Sequence, residues 1–383
     1  MYKTSVIYTR ILTVLSFILF PFIYLIISLK KRRNVENPKI FMVPQLTRVG
    51  DIVCVTPVFQ AIKEKYPKSK LVVLSSLKAS GIIKNNPRID EIINIEDYKG
   101  SFWKLILKII NENFDFGVSL SGTPLSSVLF FFGFIPTRVK LTRKNRPFSE
   151  FFTDWMSNFK YNYEVLTYLP VFYLRMLESL GVNKKEAKKE VFWNKESDNR
   201  IDSLFRENNL SDQDKIVGIS LSAGNKIKEW GDEKFVTISR EIVSGYGMKV
   251  VFTGGPSDRD RVDKVISLLG GGHNFINSAG VSLEDLPALM NRFKVFISVD
   301  TGPTHIAEAL GVPLIDILGP VNDIELTPRG QFSRIMKPKD IDPTVFAFWE
   351  NVDPEQTRGS LVAIKPEEVL RVFNLLVKDI PIK

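Results

Sequence analysis

The sequence predicts an α/β protein with two parallel-sheet domains of similar size, preceded by an apolar N-terminal helix. Three observations carry this. From Lys39 onward, short apolar runs alternate with amphipathic stretches; the rhythm breaks near Arg143 and restarts at Lys215. The runs are continuous rather than alternating, as strands buried on both faces of a parallel sheet require. Ahead of both rhythms, residues 11–29 form one uncharged stretch. The chain's 383 residues suit two domains, and 44% hydrophobic with 25% charged residues is a globular composition. A single cysteine, Cys54, excludes an internal disulfide framework, and with two histidines it argues against a classical zinc site.

The N-terminal stretch, "ILTVLSFILFPFIYLIISL", would reach about 28 Å as a helix, close to the thickness of a bilayer core. "KKRR" at 30–33 follows it, the heavier basic flank. By the positive-inside rule the body of the protein then stays cytoplasmic. A spanning anchor is the first expectation for residues 1–37, an interfacial helix kinked at Pro21 the second, and a helix buried in the fold the third. The net charge of +9 sits largely in "KKRR" and "RVKLTRKNR". That pattern suits a membrane-adjacent protein with an anionic partner better than nucleic acid.

After the anchor, "KIFMVPQL" reads as a strand and "TPVFQAIKEKYP" as a helix. "KLVVLSS" is a strand, "SFWKLILKIINENF" a helix and "FGVSLS" a strand. "SSVLFFFGFI" is too short to span a membrane and reads as a buried helix. Residues 143–183 are aromatic-rich and read as mostly helical. Residues 38–183 make the first domain, and the charged segment 184–212 reads as a linker or solvated surface. In the second domain, 213–383, strand "KIVGISLS" leads to helix "DEKFVTISREIVSGYG", with Gly247 as its C-terminal cap. Strand "KVVFTGG", helix "DRDRVDKVISLLG", strand "NFINSAG", helix "SLEDLPALMNRF", strand "KVFISV" and "VPLIDILGP" follow. The last helix, "KPEEVLRVFNLLVKD", fits either domain. Ligands of such folds bind outside the carboxyl ends of the strands, here in a cleft between the domains.

Four strand-end loops carry chemistry. In "TRVGDIVCVTP", Gly50 permits a tight turn and Asp51 sits near a helix start. Asp51 reads as an N-cap or as a carboxylate that takes a proton from an acceptor hydroxyl; local sequence favours the cap. In "SLSAGNKIKEWGDEKF", Ser222 and Gly224 offer a hydroxyl and an amide to an anion, and Lys228 a point charge for phosphate. The plainer reading of Lys228 is a surface lysine, and Trp230 reads as packing beneath the loop. In "SVDTGPTH", Asp300, Thr301 and Pro303 make a good helix start, whose free amides and dipole suit a diphosphate. His305 fits that start poorly as a cation and better as a neutral hydrogen-bond donor. In "FTGGPSDRD", Asp258 is a candidate partner for ribose hydroxyls. No GxGxxG or Walker A pattern is present. Arg143, Lys144 and Arg146 read equally as acceptor-phosphate ligands or as a solvated basic loop.

These loops in this order resemble glycosyltransferase family 9, the bacterial heptosyltransferase family of lipopolysaccharide synthesis. The resemblance runs through "VGDIVCVTPVFQAIKEKYP", "YNYEVLTYLPVFYLRMLESLGV", "NKIKEWGDEKF" and "TGGPSDRD". It is most extended in "SAGVSLEDLPALMNRFKVFISVDTGPTHIAEALGVPLIDILGP". It implies a GT-B fold, two Rossmann-like domains facing a central cleft, and inverting, metal-independent transfer from a nucleotide-activated sugar. It assigns Asp51 as general base and Lys228, with Ser222 and Gly224, to the donor phosphates. Asp258 falls where the family has a ribose-binding Glu, and Asp300, Thr301, Gly302 and His305 match its donor motif. Gly231 stands where the family has proline, and the apolar N-terminal helix is not typical of it.

The expected partners are a nucleotide-sugar donor, with ADP-heptose among the candidates and no other cofactor; a lipopolysaccharide or lipid-linked glycan acceptor; and inner-membrane lipid, but no nucleic acid. The expected location is the cytoplasmic face of the inner membrane. The alternatives are an epimerase-like sugar-nucleotide enzyme and a non-catalytic, membrane-tethered sugar-nucleotide binder.

Overall fold

The computed structural model describes residues 2–30, 36–44, 46, 48–144, 146–211, 213–350 and 354–380. The basic residues at 31–33, the start of the short linker expected after them, and Thr47 of the first loop lie outside the described residues. The chain divides into two compact units, Met1–Lys188 and Lys189–Lys383.

In the first unit, α1 (Tyr2–Lys30) leads to β1 (Lys39–Val43), α2 (Val49–Lys65), β2 (Lys70–Ser75), α3 (Leu77–Ser80) and β3 (Glu91–Asn94). Then come α4 (Phe102–Glu112), β4 (Phe116–Ser119), α5 (Pro124–Phe132), β5 (Thr137–Arg143), α6 (Phe148–Phe151), β6 (Phe159–Tyr163) and α7 (Leu169–Arg175). The six strands are all parallel in the order β3-β2-β1-β4-β5-β6.

The second unit begins with α8 (Lys195–Glu207), β7 (Ile216–Ser220), α9 (Asp232–Tyr246), β8 (Lys249–Thr253), α10 (Arg259–Leu268) and β9 (Phe275–Asn277). It continues through α11 (Leu286–Met290), β10 (Val295–Val299), α12 (Gly302–Leu310), β11 (Leu314–Ile317), β12 (Ser333–Met336), α13 (Pro354–Ala363) and α14 (Pro366–Asp379). Its sheet order, β12-β11-β10-β7-β8-β9, repeats that of the first. Each sheet therefore reverses its winding at its centre, between β1 and β4 in one and between β7 and β10 in the other. That reversal opens a crevice at the strand carboxyl ends.

Local chemistry explains several elements. Pro57 lies inside α2 and has no N–H for the Val53 carbonyl. The Thr56 hydroxyl donates to that carbonyl instead, at 2.8 Å. In β7, a Cβ on Gly218 would stand 2.2 Å from the Phe293 ring, so only glycine lets that ring cover the strand. Helix α9 ends on Gly247 at φ 61°, as its sequence indicates. Helix α14 buries Val369, Phe373 and Leu376 in the core of the second unit, with Phe373 edge-on to Tyr246 at 5.1 Å, which settles which domain it covers.

Three expectations are corrected. Residues 143–183 are not mostly helical: β6 lies there, and β5 before it was also missed. The signal failed because β5 buries Arg138 and Lys140, while β6 is largely solvent-facing. Arg138 is buried because its guanidinium donates to the carbonyls of Ile135 and Met156, and Lys140 because it pairs with Asp154 at 3.0 Å. Second, the segment 184–212 carries helix α8, and the boundary between units falls inside it, at 188/189. Third, α1 belongs to the first unit rather than preceding it. Leu12, Ser16, Ile23 and Ile27 are buried, and Phe17 and Phe20 pack on Trp155 at 5.2 and 5.3 Å. The stretch Tyr8–Lys30 is long and apolar enough to cross a membrane, but one stripe of it lies on α5.

Candidate active site

In the first unit, Asp51 follows β1, one of the two strands that flank the winding reversal. It is not the N-cap. Helix α2 begins at Val49 with Arg48 as its cap, so Gly50 is helical and Asp51 lies within the first turn. There a carboxylate is favoured by the helix dipole. Helix α7 packs on α2 and brings Tyr173 near Asp51. Burial, and then the Asp51 charge, push the Tyr173 phenol well above its ordinary value, and its hydroxyl makes no hydrogen bond among the described residues. Sequence reasoning missed Tyr173, because one tyrosine in an aromatic-rich stretch carries no signal of what it will face.

The second unit gathers most of the donor residues at its strand ends. Lys228, in the loop after β7, pairs with Asp300 after β10; Nζ to Oδ2 is 2.6 Å. These are the two strands at the winding reversal, so the pair spans the crevice that the topology opens. Thr301 caps α12 without a side-chain bond, Gly302 begins the helix and Pro303 lies in its first turn. Pro303 has no N–H and the Thr304 amide donates to the Thr301 carbonyl at 3.1 Å, so the helix dipole and the Gly302 amide are what favour an anion at this end.

His305 is buried one turn in, its Nδ1 3.1 Å from Lys189 Nζ. An ammonium only donates, so Nδ1 accepts and Nε2 carries the ring proton. Burial first, then the Lys189 and Lys228 charges, hold His305 well below its usual range. The environment therefore favours the neutral ring. Lys189 also pairs with Glu308.

Asp316 on β11 is buried with neither carboxyl oxygen hydrogen-bonded among the described residues. Burial, reinforced by Asp300, drives its carboxyl well above the ordinary range. Lys189, Glu308 and Asp316 were all missed. A lone acid in the apolar run "VPLIDILGP" was a readable sign for Asp316, and Glu308 lies three residues from His305 on the same helix. Lys189 sat in a charged run with no sign at all.

Asp258 is engaged locally. Its carboxylate accepts from the Ser222 hydroxyl at 2.8 Å and from the Gly255 amide at 2.8 Å. Arg261 donates to Ser222 and pairs with Asp232 and Glu229. Ser222 and Asp258 thus tie the β7 and β8 loops together, while Gly224 is exposed beside them. Trp230 is buried with its indole N–H on the Ile364 carbonyl at 2.9 Å, a packing role. In the first unit, Arg143 pairs with Glu150 and Arg146 with Asp154, both at 2.8 Å, and Lys144 is exposed. The two arginines are thus paired with acids of the same segment, and Lys144 stands exposed between them.

Residues 102–339 match the model of glycosyltransferase family 9 (heptosyltransferase). The chain is 27% identical over 301 residues to lipopolysaccharide heptosyltransferase 3 of Escherichia coli, covering 73% of this chain and 83% of that protein. It is 25% identical over 341 residues to a lipopolysaccharide core heptosyltransferase of Haemophilus influenzae, covering 84% and 88%. Among solved structures, that of the Escherichia coli ADP-heptose lipopolysaccharide heptosyltransferase II superposes with a TM-score of 0.72 at 18% identity, over 89% of this chain and 98% of that one. With the family model covering more than half of the chain and the paired parallel sheets of the GT-B fold in place, this protein belongs to glycosyltransferase family 9 and is a heptosyltransferase-like enzyme.

Proposed function

We propose that the enzyme moves a heptose or related sugar from a nucleotide sugar to a lipopolysaccharide-type or lipid-linked acceptor at the cytoplasmic membrane face. The observation that carries the donor half is the Lys228–Asp300 pair at the winding reversal, beside the start of α12. A diphosphate arriving there takes Lys228 as a charge partner and meets the positive end of the α12 dipole. His305, neutral, donates from Nε2. The names of the Escherichia coli and Haemophilus influenzae relatives favour lipopolysaccharide as acceptor, and the ADP-heptose enzyme of like fold favours ADP-heptose as donor.

In the reaction, Asp51 takes the proton from an acceptor hydroxyl as its oxygen attacks the anomeric carbon. The bond from that carbon to the diphosphate oxygen breaks on the opposite face, which inverts the anomeric configuration. Negative charge grows on the departing diphosphate, where Lys228 and the start of α12 stabilise it more than in the ground state. This assignment gives the leaving group its partners without a divalent ion.

The test is transfer by the full-length protein from ADP-heptose to a heptose-deficient lipopolysaccharide acceptor, followed by mass spectrometry and by the anomeric coupling of the product. Transfer with inversion that survives EDTA is the expected result. Retention of configuration, or a strict need for added manganese, overturns the mechanism. A thermal-shift series with ADP, UDP, GDP and CMP checks the base: a response to a nucleotide other than ADP alone would move the donor.

A further inference from the structure

A cavity of about 710 Å³ lies in the first unit, within the size range of small-molecule sites. It is built by the strand carboxyl ends: Leu46 after β1, Ser76 after β2, Glu96 after β3, Ser121 after β4 and Glu150 after β5 all line it. Five consecutive strands of a parallel sheet converge there, where ligands of this architecture bind. Helix α1 supplies a further part of the wall: its N-terminal half presents Arg10, Thr13, Val14 and Phe17, while Phe102, Leu125 and Phe152 add apolar surface. The lining is therefore divided, with hydroxyls and carboxylates from the strand ends meeting aliphatic and aromatic side chains from the helices.

The other face of α1 bears on what fills this space. Ile18, Phe22 and Leu29 are 68, 69 and 74% exposed, and Phe148 of the neighbouring α6 segment is 73% exposed. Large apolar side chains exposed to this degree along one helix mark an interaction or membrane face. A helix with that outer face, held along the domain by Leu12, Ile23 and Ile27, is suited to lie against a leaflet while it walls the cavity. A hydrocarbon chain leaving the leaflet passes α1 onto an apolar wall, and the polar group it carries meets the hydroxyls of Ser76, Ser121 and Thr123.

We propose that this cavity binds one acyl chain of a membrane amphiphile, with the N-terminal half of α1 as its wall and the strand-end hydroxyls toward its polar head. The inference rests on the membrane-facing acceptor reading above and adds the chain-binding site to it. The chain comes from the glycolipid acceptor or from a bilayer phospholipid, and the test separates these sources.

The full-length protein in mild detergent is titrated with cis-parinaric acid, whose fluorescence rises in an apolar pocket. Saturable binding of one probe per chain is expected. Thr13→Trp on α1 and Leu125→Trp on α5, both at residues that line the cavity, each weaken it by about tenfold or more, with the unfolding temperature checked for both. Ile18→Gln, on the outer face, leaves probe affinity unchanged and lowers association with phosphatidylethanolamine–phosphatidylglycerol vesicles. Displacement of the probe by an acylated lipopolysaccharide precursor alone assigns the site to the acceptor. Equal displacement by phosphatidylethanolamine assigns it to bulk lipid; both outcomes support an acyl site. Absent probe binding, or binding that both filling variants leave unchanged, overturns it. Transfer to a deacylated acceptor is measured in parallel: if it persists while probe binding is absent, the acyl site fails and the transferase reading stands.

Discussion

The two sheets share one strand order and differ in almost everything attached to it. In the second unit the strand-end loops interlock through charge: Lys228 on Asp300, Lys189 on His305 and Glu308, Asp258 on Ser222. In the first unit the corresponding ends surround a cavity lined by both polar and apolar side chains, with Asp51 in the first helix turn after β1. Topology fixes where a site forms, and the loops fix what it binds. A charged, multiply paired rim suits a diphosphate. A divided polar and apolar cavity suits an amphiphile. On the function proposed above, the same architecture would serve both halves of a transfer between a soluble donor and a lipid-borne acceptor.

That contrast breaks most sharply at Asp51. Asp51→Asn is expected to lower turnover by about 10²–10⁴-fold, the usual worth of a general base, while ADP binding by calorimetry stays unchanged. Full activity in the variant moves the base elsewhere. Next is the core of the second unit. Phe373→Ala should cost about 3–5 kcal/mol in urea unfolding, the range for large-to-small changes of buried aromatics. A loss well below that range means that α14 is peripheral to that core.

Lys228→Ala removes one charged partner of the donor phosphates and leaves Asp300 unpaired. Donor KM should rise by roughly 10–100-fold, as loss of a charge-assisted hydrogen bond implies. An unchanged KM removes Lys228 from the donor site. Such a result would make the charge network of the second unit purely structural and erase the contrast.

The smallest effect is on pH dependence. In the folded chain burial keeps His305 neutral, whereas in the unfolded chain it takes up a proton below about pH 6.5. The unfolded state then binds more protons, so stability falls as pH drops from about 6.5 toward the depressed native value. His305→Gln should flatten that part of the curve of urea midpoint against pH. A slope identical to the parent's means that His305 is not held neutral.

Sequence reasoning went far in the second unit and less far in the first, and the reasons are local. Strands such as "KVVFT" and "VFISV" are buried on both faces and announce themselves as apolar runs. The "SVDTGPTH" loop carried its own helix start, and its neutral histidine followed from the dipole argument alone. Strand β5 was missed because burying Arg138 and Lys140 depends on carbonyls and an aspartate elsewhere in the chain. Asp51 was misplaced as a cap because the helix starts earlier than glycine chemistry suggested.

The sequence by itself determined the two parallel sheets, the order of the strand-end loops and the family, because these rest on periodicity and on contiguous motifs. It also determined that residues 11–29 are apolar enough for a membrane. Only the tertiary structure decided what that stretch does in the fold. One stripe of α1 is buried on α5, one part walls a cavity, and the rest faces outward. Likewise only the fold brought Lys189 to His305, 116 positions apart, and set Asp316 beside Asp300. Contacts of that kind depend on which surfaces meet. A one-dimensional pattern of polarity records that a residue is charged or apolar, but not the neighbour that decides its protonation, burial or role.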